Sequence, residues 1–224
     1  MVYLMVEQQF AKYPWCQRTI RGIFEEVRKR RIHVQEVSEL PGGAEERSCV
    51  LLVGASEEWI NQTARGAGSL GLHPIVLSNR ETNSSGLSVS SVKMDIHSSM
   101  ELAVDYLRTL GRERLALFGV NPSASSDLWR ARRFGELTGR EGDVFFLGSS
   151  VNEIFDQFYE KIHRYDGVIC ASDYAAVSLV GRLREKNYAI PEKLYVVGYG
   201  DMFLSRLFRP SITSISDDYE SFGK

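Results

Sequence analysis

Several groups in this sequence have the residue types and spacing that binding or catalytic chemistry needs. Gly66-Ala67-Gly68-Ser69-Leu70-Gly71 spells GxGxxG, a run that cradles a dinucleotide pyrophosphate when it follows a strand and opens a helix. Here it closes a helical pattern and leads into an apolar strand at Pro74–Leu77. The glycines are therefore expected as left-handed helix C-caps, and no nicotinamide cofactor is implied. The sequence contains neither a GxxxxGKS/T phosphate loop nor a GxSxG nucleophile elbow. His33, His73, His97 and His163 are scattered, without the HExxH or Cys/His spacing that holds zinc. Nothing assembles a nucleophile, a base and an orienting group, so the expectation is a protein without catalytic residues, metal or cofactor.

Other groups are suited to gripping a ligand rather than transforming it. Arg130-Ala131-Arg132-Arg133 is a basic cluster whose ordinary reading is a solvated helix face. At helical spacing Arg130 and Arg133 share a face and Arg132 points elsewhere, so one guanidinium can turn into a cleft and hold hydroxyls or an anion through its planar fork. Ser172-Asp173 reads as an N-cap, worth about 1 kcal/mol. Gly200-Asp201 follows the apolar run Tyr195–Tyr199, Asn79 follows Pro74–Leu77, and Tyr13-Pro14-Trp15 precedes the first helix. All of these fall at the carboxyl ends of expected strands, the edge where open α/β sheets bind ligands. An aromatic there is either core or a platform for the apolar face of a sugar.

Alternating elements position these groups. Strands are expected at Val2–Val6, Ile32–Val37, Cys49–Val53, Pro74–Leu77, Leu115–Phe118, Val144–Leu147, Val168–Cys170 and Tyr195–Gly198. Helical patterns lie between them at Thr19–Arg31, Glu57–Arg65, Ser98–Leu110, Ser126–Leu137, Val151–Tyr165 and Asp173–Lys186. In the first helix Ile20, Ile23, Phe24 and Val27 follow i, i+3, i+4, i+7; in Ser98–Leu110, Leu102, Tyr106 and Leu110 fall on one side. Such alternation implies right-handed βαβ units and parallel sheets covered by helices on both faces. A Ser/Asn/Gly-rich loop at Asn79–Ser91, with a short strand at its end, sits near the middle and divides the chain into two similar lobes.

Composition narrows the function classes. The 224 residues allow one large domain or two lobes. With 27 Lys plus Arg against 29 Asp plus Glu, the formal charge is −2, and a domain that wraps nucleic acid by counterion release would be clearly basic. Cys16, Cys49 and Cys170 are few, odd in number and far apart, so buried free thiols are expected rather than a disulfide scaffold. No apolar run approaches the roughly 20 residues of a membrane span, and the opening MVYLMVEQQF lacks the features of a signal peptide. The chain reads as soluble and cytoplasmic.

The run DGVICASDYAAVSLV from Asp166, followed by Ile190-Pro191-Glu192 and by YVVGYGD ending at Asp201, resembles the effector-sensing domain of lactose/galactose-repressor-type transcription regulators. Supporting segments are Asp95-Ile-His, DYLRTLG from Asp105, RLALF from Arg114, Arg132-Arg-Phe-Gly135 and PSITSI from Pro210, in family order along effectively the whole chain. The resemblance implies the type I periplasmic binding protein fold: two Rossmann-like, doubly wound parallel-sheet lobes joined by crossover strands. By that likeness the first lobe is residues 1–96 plus 217–224 and the second is 97–216, with a small molecule held between them and a homodimer as the assembly. Arg132 matches the family's ligand-gripping arginine. Ser172 stands where many relatives place a ligand-contacting Asn, beside Asp173; Asn79 matches an acid or amide after the fourth strand; Trp15 or Tyr13 falls near the pocket aromatic.

Three departures from that pattern matter. Gly200 replaces the first acid of the family's Gly-aromatic-Asp-Asp, beside Asp201, and with it a carboxylate that holds sugar hydroxyls. A site that keeps Arg132 and loses a carboxylate favours an acidic or phosphorylated sugar over a neutral one. No helix-turn-helix head precedes Val2, and the family's closing segment does not follow Lys224. The expected role is sensing a sugar-like effector and coupling it to operator DNA through a module outside this chain, with no membrane partner. The alternative is a solute-binding protein of sugar transport or chemotaxis.

Overall fold

A computed structural model describes residues 1–43, 48–78, 89–148 and 151–224. The described chain is an alternation of strands and helices. The strands are β1 (Val2–Val6), β2 (Val34–Glu36), β3 (Cys49–Val53), β4 (His73–Leu77), β5 (Ser90–Val92), β6 (Leu115–Val120), β7 (Val144–Phe146), β8 (Gly167–Cys170), β9 (Tyr195–Tyr199) and β10 (Thr213–Ile215). The helices are α1 (Pro14–Lys29), α2 (Glu57–Ser69), α3 (Ile96–Thr109), α4 (Ser125–Thr138), α5 (Val151–Glu160), α6 (Asp173–Glu185), α7 (Phe203–Leu207) and α8 (Tyr219–Phe222). They form two compact units, Met1–Met94 with Asp218–Lys224, and Asp95–Asp217.

Each unit carries a five-stranded parallel sheet, in order β2-β1-β3-β4-β5 in the first and β10-β9-β8-β6-β7 in the second. The central strands read as continuous apolar runs because helices cover both faces. β6 is buried at every residue and β8 likewise. In the second unit one face is packed by Phe118, Phe145, Phe155 and Phe158 with α5 and α6, and the other by Met100, Val104, Leu107 and Phe134 from α3 and α4. The Phe158 ring meets Phe118, Phe145 and Tyr165 at centroid separations of 5.3, 5.2 and 5.6 Å, which fixes α5 on the sheet. The first unit has the same two-sided arrangement, with α2 on Val50, Leu52 and Val76 and with α1 on Leu4, Val53 and Leu77.

Several local expectations are corrected. α1 starts at Pro14 rather than Thr19, because proline at the first helical position gives up an N–H that has no intrahelical partner anyway. Pro14 and Trp15 thus lie inside the helix. α2 runs on to Ser69, so Gly66 and Gly68 are interior residues, and of the GxGxxG run Gly71 alone has a left-handed φ, +74°. On α3 the buried stripe is Met100, Ala103, Val104 and Leu107, whereas Leu102 is 59% exposed. That stripe follows the full i, i+3, i+4, i+7 pattern, which the Leu102–Tyr106–Leu110 spacing meets only in part. β5 is the short strand expected at the end of the central loop, whereas β10 adds an unexpected edge strand of three residues, too short to carry a periodicity of its own. Residues 79–88 of the expected central loop lie outside the described residues.

The return of the chain to the first unit rests on backbone-to-backbone packing. A Cβ on Gly22 would come within 2.0 Å of the Glu220 carbonyl oxygen, and one on Gly223 within 2.1 Å of the Thr19 oxygen. Only glycine at these crossing points lets α8 lie against α1. Gly22→Ala is expected to cost about 1–3 kcal/mol through overpacking and to release residues 218–224. Amide hydrogen exchange across that segment is the check; unchanged protection would show that the approach is not sterically limited.

Candidate functional site

The carboxyl edge of the second sheet carries a linked polar cluster. At the end of β8, Ser172 caps α6: its hydroxyl accepts the Ala175 N–H at 3.2 Å. The next residue, Asp173, is wholly buried. One of its carboxylate oxygens accepts the Met202 N–H at 2.6 Å and the other accepts the Ser214 hydroxyl, also at 2.6 Å. Ser214 Oγ in turn accepts the Asp201 N–H at 2.9 Å. Asp173 therefore ties the start of α6 to the turn after β9 and to β10. That turn reverses sharply, with φ of +111° at Gly200 and +47° at Asp201. Glycine adopts such a conformation freely and aspartate is among the few side chains that tolerate it. Asp201 is held outward by a bidentate pair with Arg206, whose Nε donates at 2.9 Å.

Beside this turn lies Arg130 of α4, 7% exposed. Its Nη1 donates to Asp127 at 3.0 Å and its Nη2 to Asp217 at 3.1 Å. The guanidinium carbon sits 3.9 Å from the centroid of the Tyr199 ring, a stacked cation–π contact. Burial pushes the Tyr199 phenol above its ordinary pKa, partly offset by the Arg130 charge, and its hydroxyl donates to Ser99. Arg132 is placed differently. Its side chain is 69% exposed, pairs with Glu136 at 3.1 Å and lies 5.6 Å from the Trp129 ring centroid. The basic cluster is thus not one solvated face: Arg130 turns inward and Arg132 outward.

The first unit has its own polar fixture at the carboxyl edge. Glu7, just past β1, is buried, and its carboxylate accepts N–H groups of Ala55 at 2.9 Å and Ser56 at 3.0 Å, together with the Ser56 hydroxyl and the Gln9 amide. Burial alone would raise its pKa, but these donors outweigh burial and hold the carboxyl below its usual range. The negative end caps the α2 N-terminus, where the helix dipole favours it. Burial, with the Glu7 charge nearby, pushes the Cys16 thiol up to about 11, so it stays protonated at neutral pH. Next to this fixture Phe10, Tyr13, Trp15 and Tyr219 form a ring cluster, with Trp15 at 6.0 Å from Phe10 and 6.3 Å from Tyr219. Trp15 is half-buried against the core, whereas Tyr13 is 52% exposed.

Of the residues singled out in the sequence, Ser172, Asp173, Gly200 and Asp201 are brought together through Ser214 and Met202. Tyr13 and Trp15 are brought together in the first unit through Phe10. Arg132 makes its contacts along α4, and Asn79 lies outside the described residues. Sequence reasoning did not single out Asp127, Tyr199, Asp217, Ser214 or Glu7. Asp127 and Arg130 stand three apart, the spacing of a helical ion pair, and so had a local signal. Asp217 and Ser214 had none, because their partners lie 87 and 41 residues away. Among the described residues no group of three or more His, Cys, Asp or Glu is placed to hold a metal ion.

Residues 104–224 match the periplasmic binding protein-like domain family. Among curated proteins, an HTH-type transcriptional regulator, RegA, from Clostridium saccharobutylicum is 33% identical over 86 residues, which is 38% of this chain and 22% of that protein. The chain thus matches about a fifth of this relative's length. Among solved structures, a LacI transcriptional regulator from a Rhodococcus species superposes with a TM-score of 0.73 at 21% identity, covering 100% of this chain and 87% of that one. A LacI family regulator, CcpA, from Weissella paramesenteroides with bound sucrose gives 0.67 at 16% identity, covering 100% of this chain and 88% of that one. At such identities the structural likeness shows the fold: two α/β lobes with parallel sheets. These relatives are transcription regulators and not enzymes.

Proposed function

Because this chain belongs to the periplasmic binding protein-like domain family, we propose that it is the effector-sensing domain of a bacterial transcription regulator. It takes a small sugar-like metabolite on groups at the carboxyl edges of its sheets and passes that occupancy to a DNA-binding module. We place it in the cytoplasm as a homodimer. The observation that carries this reading is the family match over residues 104–224; the regulators among its relatives favour it over a transport solute receptor, and the sucrose in the Weissella structure favours a sugar. No chemistry on the ligand is involved. A ligand shifts a conformational equilibrium only by its differential affinity for the two states, and a coupling of about 1–3 kcal/mol changes operator affinity about 5–150-fold.

The polar groups favour an acidic or phosphorylated sugar. Gly200 offers no carboxylate to sugar hydroxyls, Asp173 spends both oxygens inside the lobe, and Asp201 is engaged by Arg206. Arg132 is the charged group at hand. The pair with Glu136 is exposed and screened by solvent, so an anionic ligand displaces it at little cost. Ser172 and Asn79 supply hydrogen-bonding groups, and Tyr13 with Trp15 supplies the apolar platform.

A thermal-shift screen of neutral hexoses, aldonates and sugar phosphates tests this directly. A ligand at 100 times its Kd stabilises by about 2.7 kcal/mol. Arg132→Ala is expected to weaken the hit about 10–100-fold, the loss of one charge-assisted contact. Full affinity in that variant would remove Arg132 from the site. Binding of neutral hexoses with failure of every anionic analogue would overturn the acidic-sugar assignment while leaving the sensing role in place.

A further inference from the structure

The first unit carries a second charged feature that the ligand site does not use. Arg28-Lys29-Arg30-Arg31 ends α1 with four consecutive cations, followed by His33, and all five residues are exposed. The turn that displays them is fixed. The Arg30 N–H bonds to Glu26 O at 2.9 Å, the Arg31 N–H to Arg28 O at 3.2 Å and the Ile32 N–H to Val27 O at 2.8 Å, and Arg31 itself has a φ of +57°. Cations at a helix C-terminus complement the dipole, an effect that falls off within the last turn and needs one or two charges rather than four. Among the described residues, the one acid paired to the run is Glu26, which is shared by Lys29 and Arg30. Arg28 and Arg31 make no ion pair among the described residues. The local surplus is therefore about three positive charges on a protein whose formal net charge is −2.

Position and shape select the partner. The run leads into β2, and Val34 pairs with Val2, so it lies at the amino edge of the first sheet beside the strand that opens the chain. That edge is the one opposite Glu7 and the aromatic cluster. Successive helical side chains diverge by about 100°, so the cations fan around a convex helix end instead of facing one plane. A flat bilayer meets only one side of such a fan, and Ile32 is the one large apolar side chain within it. A duplex groove, flanked by phosphates on two sides, meets the whole fan.

We propose that Arg28–Arg31 is an auxiliary, sequence-independent contact for the phosphate backbone of double-stranded nucleic acid. This rests on the reading that the chain works beside DNA. The contact supplies no base recognition; it adds counterion release to binding specified by another module.

Fluorescence anisotropy of a mixed-sequence duplex of about 20 base pairs, titrated with the chain, tests it. With about three phosphates neutralised, affinity is expected to fall about 40-fold between about 50 and about 200 mM salt, and only about fourfold in Arg28→Ala/Arg31→Ala. Arg184→Ala, which removes an exposed cation from the second unit, is expected to keep the parental salt slope. Absence of duplex binding, an unchanged slope in the double variant, or binding to phosphatidylserine vesicles in place of the duplex would each overturn the proposal. The sugar-induced thermal shift, measured on the same double variant, separates the two readings. A retained shift without duplex binding removes the contact and keeps the sensing role, and duplex binding without any effector response does the reverse.

Discussion

Arg130→Ala is expected to lower the stability of the second unit by about 3–5 kcal/mol, because removing one partner of a buried ion pair leaves the other charge uncompensated. Here Asp217, 4% exposed, and the half-buried Asp127 both pair with this guanidinium. The Tyr199 ring also loses the cation stacked on its face. Arg130→Met is the informative companion, since it restores apolar contact without restoring charge. If the electrostatic account is right, the methionine variant recovers little, and Arg130→Met/Asp217→Asn recovers more than either single change predicts. Urea unfolding of the second unit's fluorescence reads this out. A loss below about 1 kcal/mol would mean that water reaches the aspartates and that the cluster is not a buried network.

Asp173→Ala is expected to cost about 2–4 kcal/mol and to loosen the turn after β9. The Met202 N–H and the Ser214 hydroxyl both lose their acceptor beside the buried Asp173 position, and each orphaned polar group carries a penalty of about 1–3 kcal/mol when buried. The turn holds Gly200 and Asp201 at positive φ, and Asp173 ties it to α6 and β10. Effector affinity should fall as well, even though Asp173 presents no atom outward, because Ser172 and Asp201 are both aligned through it. Asp173→Asn offers Ser214 an acceptor while placing an amide donor against the Met202 N–H, so it should be intermediate. Hydrogen exchange at Asp201 and Met202 is the readout; protection equal to the parent's in the alanine variant would show that the turn holds itself.

The architecture was largely legible because its signals are local. Apolar runs such as Val2–Val6 and Cys49–Val53, separated by periodic helices, imply parallel sheets without any long-range information, and both prove to be core strands. Ser172 declared itself as a cap because N-capping acts within three residues. Arg130 and Arg132 were harder. They sit two apart on one helix, and only the distant Asp217 and Tyr199 decide which of them is drawn inward. Asp173 shows the same limit from the other side: its position at the sheet edge suggested a group offered to ligand, yet its partners 29 and 41 residues on turn it into an internal tie. The Leu102 face of α3 misled because two apolar stripes coexist on that helix, and Ala103 with Val104 let the backbone approach the sheet more closely than leucines would.

The docking of α8 on α1 bears on how the protein emerges during translation. The Thr19–Gly223 and Gly22–Glu220 approaches join residues about 200 positions apart, with the whole second unit encoded between them. Synthesis proceeds at about 5–20 residues per second, and domains fold as units. The first unit therefore waits tens of seconds for α8, until the second unit has been synthesised.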